Sequence, residues 1–137
     1  MESSSIFLPV LGQIFLTLIA YIVLLRRKAT AVKQGSVDRQ KTALDNRQWP
    51  ESVVKASNNI ANQFETPVLF YVLCILSYLI QAVTEWLVIV AWIYVASRYI
   101  HSYVHMTSNY VPYRMKIFAL GVLILLGMLV YLAYCLI

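Results

Sequence analysis

The chain has 137 residues, of which 61% are hydrophobic and only 12% charged, with a formal net charge of +5. A soluble domain carries about 25% charged residues, and a core of this size has no room for so much apolar surface, so an ordinary water-soluble fold is excluded. The placement of the charge excludes nucleic acid as a partner. All 11 basic residues lie in two stretches, eight from Arg26 to Lys55 and three at Arg98, Arg114 and Lys116, with long uncharged runs between.

The first apolar run, residues 6–25, is uncharged and at ~1.5 Å per residue reaches ~30 Å, enough to cross a bilayer. Residues 1–5 carry no basic residue and no small-residue cleavage site follows, so the run reads as a span rather than a leader. Arg26, Arg27 and Lys28 stop it, and residues 26–49 read as a polar loop.

Pro50 followed by Glu51 marks the start of a second helix, expected over residues 50–82. At ~50 Å it exceeds the hydrocarbon core, so its first turns should project from the membrane. Pro67 should kink it, because the carbonyl of Gln63 loses its usual donor. A short turn precedes the third helix, residues 86–109. A second turn leads to Pro112 and the fourth helix, residues 113–137, uncharged after Lys116.

The expected fold is therefore an all-α integral membrane bundle of four transmembrane helices, in a single domain over residues 1–137. Positive charge is retained on the cytoplasmic side, so both basic loops are placed there and both termini on the other side. Cys74 and Cys135 lie inside apolar runs and read as small apolar side chains, without a disulfide framework.

Ionisable groups inside hydrocarbon cost several kcal/mol unless paired, and they commonly face a bundle interior or a wet cavity. Lys55, Asn58, Asn62 and Glu65 share one stripe of the second helix; Arg98, His101, Ser102 and His105 share one of the third. The two stripes are expected to face each other across a polar pocket. A plainer reading has Glu65 pairing with Arg98 to lock helix packing. A metal site from Glu65, His101 and His105 is disfavoured, because Arg98 one turn away repels a cation. No phosphate loop or nucleophile elbow is present, and nothing positive supports a triad built on Ser102.

Three segments carry a family resemblance. Asn62-Gln-Phe-Glu65-Thr-Pro-Val-Leu-Phe-Tyr71 resembles the second-helix motif of the MAPEG family, the membrane-associated proteins in eicosanoid and glutathione metabolism. Arg98-Tyr-Ile-His101-Ser102-Tyr-Val-His105 resembles the third-helix motif, and Pro112-Tyr-Arg114 the start of the fourth. The resemblance implies a homotrimer of four-helix subunits, with glutathione held between subunits near the cytoplasmic face as co-substrate. Carried over residue by residue, Asn62, Glu65, Arg98, His101, His105 and Arg114 would line that site, and Arg114 would favour the thiolate as the catalytic residue. The implied activity is that of a membrane glutathione transferase or peroxidase acting on lipophilic electrophiles. The alternative is a non-catalytic lipid- or thiol-binding module. Three departures bear on this choice: Asn58 and Ala61 stand where glutathione-using members have Arg, and His105 where they have Tyr. The compact chain points to a bacterial member in the inner membrane, in contact with the lipid bilayer and a small lipophilic substrate.

Overall fold

The computed structural model of the chain describes residues 2–137 and is all-helical over them. After a 3-10 turn at Ser3–Ile6 come α1 (Phe7–Lys33), α2 (Arg39–Leu44), α3 (Glu51–Gln63), α4 (Thr66–Leu79), α5 (Glu85–Met106) and α6 (Val111–Leu136). Among the described residues four helical stretches are long and apolar enough to cross a membrane: Ser3–Lys33, Glu51–Leu79, Glu85–Met106 and Val111–Leu136. The protein is an integral, multi-pass membrane protein built as a four-helix bundle.

The first helix outruns its apolar run. Residues 26–33 stay helical for a further ~12 Å, where a polar loop was expected. The reason is packing: Ala31, together with Ala20 and Leu24, is buried against Val53, Ala56 and Ile60 of α3. Gly35, at φ +67°, ends the helix, and Ser36 N–H closes back onto the Ala31 carbonyl at 3.3 Å. The loop also contains the short helix α2, capped by the Asp38 carboxylate, which accepts from the Gln40 and Lys41 N–H groups.

The second span is broken rather than gently kinked. Pro67 sits in the first turn of α4, and Phe64 and Glu65 fall between α3 and α4. The N–H groups of these two residues make i−3 bonds to Ala61 and Asn62, which tighten the end of α3. The third span begins on a Thr84 cap and ends at Met106, three residues short of expectation. There Asn109, at φ 51°, turns the chain and donates its N–H to the Val104 carbonyl at 2.8 Å.

The helix α5 is the centre of the bundle, packed against α1, α3 and α6. Its close approach to two neighbours uses glycine. A β-carbon on Gly12 would meet the Trp92 ring at 3.2 Å, and one on Gly121 would meet Ser97 and Tyr94 at 3.6 Å. The apolar half of the core joins Ile6, Phe70, Leu73, Tyr94, Leu125 and Met128, with Phe70 stacked on Tyr94 at 4.5 Å. At the basic end, cations cap the last carbonyls of α5. Arg27 donates to Met106 O at 2.8 Å and to Ser52 O at 2.7 Å, and Lys55 donates to Thr107 O at 3.2 Å.

Candidate functional site

Helical spacing places Tyr94, Arg98, His101 and His105 on one stripe of α5. All four are buried, with Arg98 only 1% exposed. Each carries a buried polar atom without a partner: the Tyr94 hydroxyl, Nε and Nη2 of Arg98, and Nδ1 of both histidines. The two imidazole rings lie 5.6 Å apart, and the Phe118 ring of α6 lies 5.8 Å from His101 and 6.0 Å from the Arg98 guanidinium. Among the described residues no carboxylate comes within 4.0 Å of Arg98. A buried guanidinium with open donors is costly, and an anion seated beside it offsets that cost.

Arg114 is fixed at the same end of the bundle. Its Nη1 donates to the Asn109 side-chain oxygen at 2.5 Å, so the residue that turns the chain between α5 and α6 also orients this cation. Asn62, His101 and Arg114 line one pocket of about 130 Å³ together with Met115 and Phe118. That volume is smaller than the roughly 300 Å³ at which sites for drug-sized ligands begin. Further along the same seam, Thr66 and Leu73 of α4 and Val122 and Leu125 of α6 line a groove of about 370 Å³ walled by apolar side chains apart from Thr66. The lining recurs every three or four residues on both sides, as Asn62, Thr66, Leu69, Leu73 and Leu76 against Met115, Phe118, Val122, Leu125 and Leu129. The seam is thus polar and cationic at one end and apolar for the rest of its length.

The Glu65–Arg98 pair of the plainer reading is absent among the described residues. Glu65 is exposed at the break between α3 and α4, which the restart at Pro67 creates. Asn58 is also exposed, and Lys55 is engaged with Glu51 at 2.8 Å and with Thr107 O. Of that stripe, Asn62 is the member that lines the pocket with His101. The face of α3 that meets α5 is one residue further round. Asn59 donates to Ser102 Oγ at 2.7 Å, Gln63 reaches the same oxygen at 3.5 Å, and Gln13 of α1 donates to Gln63 at 2.9 Å. Ser102 therefore belongs to a buried network that ties three helices together, and it does not line the pocket. Sequence reasoning passed over Gln13, Asn59, Gln63 and Tyr94. For Tyr94 the signal was available, since it lies one turn before Arg98 on the same stripe.

The sequence profile of the MAPEG family matches residues 5–134. The chain belongs to the MAPEG family. Comparison with curated proteins and with solved structures gives no match. In this MAPEG chain the three motif segments converge at the basic end of the bundle, where Asn62, His101 and Arg114 share the pocket and Arg98 stands behind it. Glu65 lies outside the pocket on the outer surface of the bundle, and His105 sits one turn beyond His101 toward the basic end.

Proposed function

We propose that the protein is a membrane glutathione transferase or peroxidase that activates the thiol of glutathione at the polar end of the seam. The observation that carries this reading is the buried Arg98 guanidinium, two of whose nitrogens have no partner, next to the Phe118 wall of the pocket that Asn62, His101 and Arg114 line. A guanidinium fork suits the glutathione carboxylates, and Arg114 stands by the thiol, where a cation favours the nucleophilic thiolate. The thiolate attacks an electrophilic carbon, a C–S bond forms, and the leaving group departs with its electron pair while the thiol proton passes to water. With a hydroperoxide, two glutathione molecules are oxidised to the disulfide and the peroxide is reduced to an alcohol and water. The lipophilic substrate reaches the thiolate along the apolar part of the seam.

In this reading the working unit is a homotrimer. One chain's pocket is too small to enclose a tripeptide. Glu65 and Asn58 are polar groups on the outer surface of a membrane span, where a neighbouring subunit would cover them and Glu65 would meet the glutathione ammonium. The basic face is cytoplasmic, both termini lie on the other side, and the membrane is a bacterial inner membrane.

A second reading keeps the fold and the ligand pocket without turnover, as a lipid- or thiol-binding module. Asn58, Ala61 and His105, which replace cationic and phenolic side chains of glutathione-using members, favour it. Calorimetry of glutathione binding to detergent-purified wild type, Arg98→Ala and Glu65→Gln separates ligand from no ligand. Saturable binding weakened by both substitutions is expected. No binding to folded wild type would refute both the transferase and the thiol-binding module.

A further inference from the structure

The eight basic residues from Arg26 to Lys55 are not equivalent once their partners are assigned. Lys41 lies 4.0 Å from Asp38, Arg47 3.3 Å from Asp45 and Lys55 2.8 Å from Glu51. Arg27 is spent on the carbonyls of Ser52 and Met106. Among the described residues Arg26, Lys28, Lys33 and Arg39 have no carboxylate within 4.0 Å. Three of these four, Lys28, Lys33 and Arg39, line a single groove of about 540 Å³. Trp49 forms another wall, with the Lys28 ammonium 5.0 Å from its ring centre. The remaining lining is apolar and includes Leu25, which is 64% exposed, and Val32.

The groove sits at a defined depth. The apolar run of α1 ends at Leu25, and Lys28 is ~4.5 Å further along the helix, within the headgroup layer that flanks the hydrocarbon core. Lys28 at that level, Lys33 a further ~7.5 Å along the helix, an exposed leucine below and an indole beside together match the parts of a phospholipid. The phosphate meets the ammonium and guanidinium groups, the glycerol region meets Trp49, and the acyl chain lies along Leu25.

We propose that this groove, between the overhanging end of α1 and the loop before α3, binds the headgroup of an anionic phospholipid of the adjacent leaflet. The apolar wall running into the membrane favours a lipid over a free phosphate, which would leave Leu25 and Val32 uncovered. The site is separate from the Arg98 seam and does not depend on the activity proposed above.

The test is native mass spectrometry of delipidated full-length protein offered equal amounts of phosphatidylglycerol and phosphatidylcholine. Each surface cation contributes about fivefold to binding of an anionic lipid. Wild type should retain phosphatidylglycerol over phosphatidylcholine. Lys28→Gln/Lys33→Gln/Arg39→Gln should lower phosphatidylglycerol affinity roughly hundredfold. Lys33→Gln/Arg39→Gln, which spares the Lys28–Trp49 contact in case that contact is needed for folding, should lower it about thirtyfold. Lys41→Gln/Arg47→Gln, which removes two cations that already have acidic partners, should leave retention at the wild-type level. Equal retention of the two lipids by wild type would overturn the proposal. So would an equal loss in the Lys41/Arg47 control, which would reduce the effect to bulk charge.

Discussion

Replacing Arg98 with methionine should strengthen the empty fold and abolish its response to glutathione. Arg98 is 1% exposed, and its Nε and Nη2 have no partner. A buried unsatisfied polar group costs about 1–3 kcal/mol, and a charged one more. Methionine keeps much of the aliphatic stem and removes both open donors, so the unliganded protein should gain roughly 2 kcal/mol, against a penalty of the same size if Arg98 had a structural partner. Glutathione at about 100 times its dissociation constant should add about 2.7 kcal/mol to wild type and nothing to Arg98→Met. Unfolding followed by tryptophan fluorescence in mixed detergent micelles, with and without glutathione, reads both effects. An Arg98→Met protein less stable than wild type by more than about 1 kcal/mol would refute the argument, because it would assign Arg98 to packing.

Other substitutions separate the scaffold from the site. Ser102→Ala leaves the Asn59 and Gln63 amides without their shared acceptor and should cost about 1–3 kcal/mol in the same unfolding assay, with glutathione affinity unchanged within twofold. Asn109→Gly keeps the left-handed turn at φ 51° but frees Arg114, so stability should hold while turnover with an aryl halide falls; Asn109→Ala should in addition cost about 1 kcal/mol. Arg27→Ala removes two charge-assisted bonds to backbone carbonyls and should destabilise by about 1.5–3 kcal/mol, with Arg27→Lys recovering at most one of them.

The four spans were legible because hydrocarbon demands long uncharged helices, and residues 6–25 and 117–137 satisfy that demand without ambiguity. The α5 stripe was legible for a related reason: Arg98, His101 and His105 are conspicuous in an apolar helix, and spacing alone puts them on one face. The inward face of α3 was harder. Asn58, Asn59, Asn62 and Gln63 place amides around much of the helix, so polarity does not pick a side. The apolar residues do: Val53, Ala56 and Ile60 are buried at intervals of three and four, and they carry Asn59 and Gln63 inward with them. The overrun of α1 to Lys33 was hidden because its cause is tertiary, the burial of Ala31 in a cluster with Val53 and Ala56, and no local signal in 26–33 competes with the run of charges there. The plainer reading, a Glu65–Arg98 pair, rests on the assumption of a continuous second helix. The break at Pro67 falls between Gln63 and Thr66, and Glu65 is exposed in it.

The central claim is that Arg114, with the buried Arg98 behind it, holds glutathione as its thiolate. Ultraviolet difference spectroscopy of glutathione added to the purified protein at neutral pH tests it most directly. A thiolate absorption band that saturates with protein and disappears in Arg114→Ala, with calorimetric binding retained, is the predicted result. Glutathione bound by wild type with no thiolate band would contradict the claim and leave a thiol-binding module.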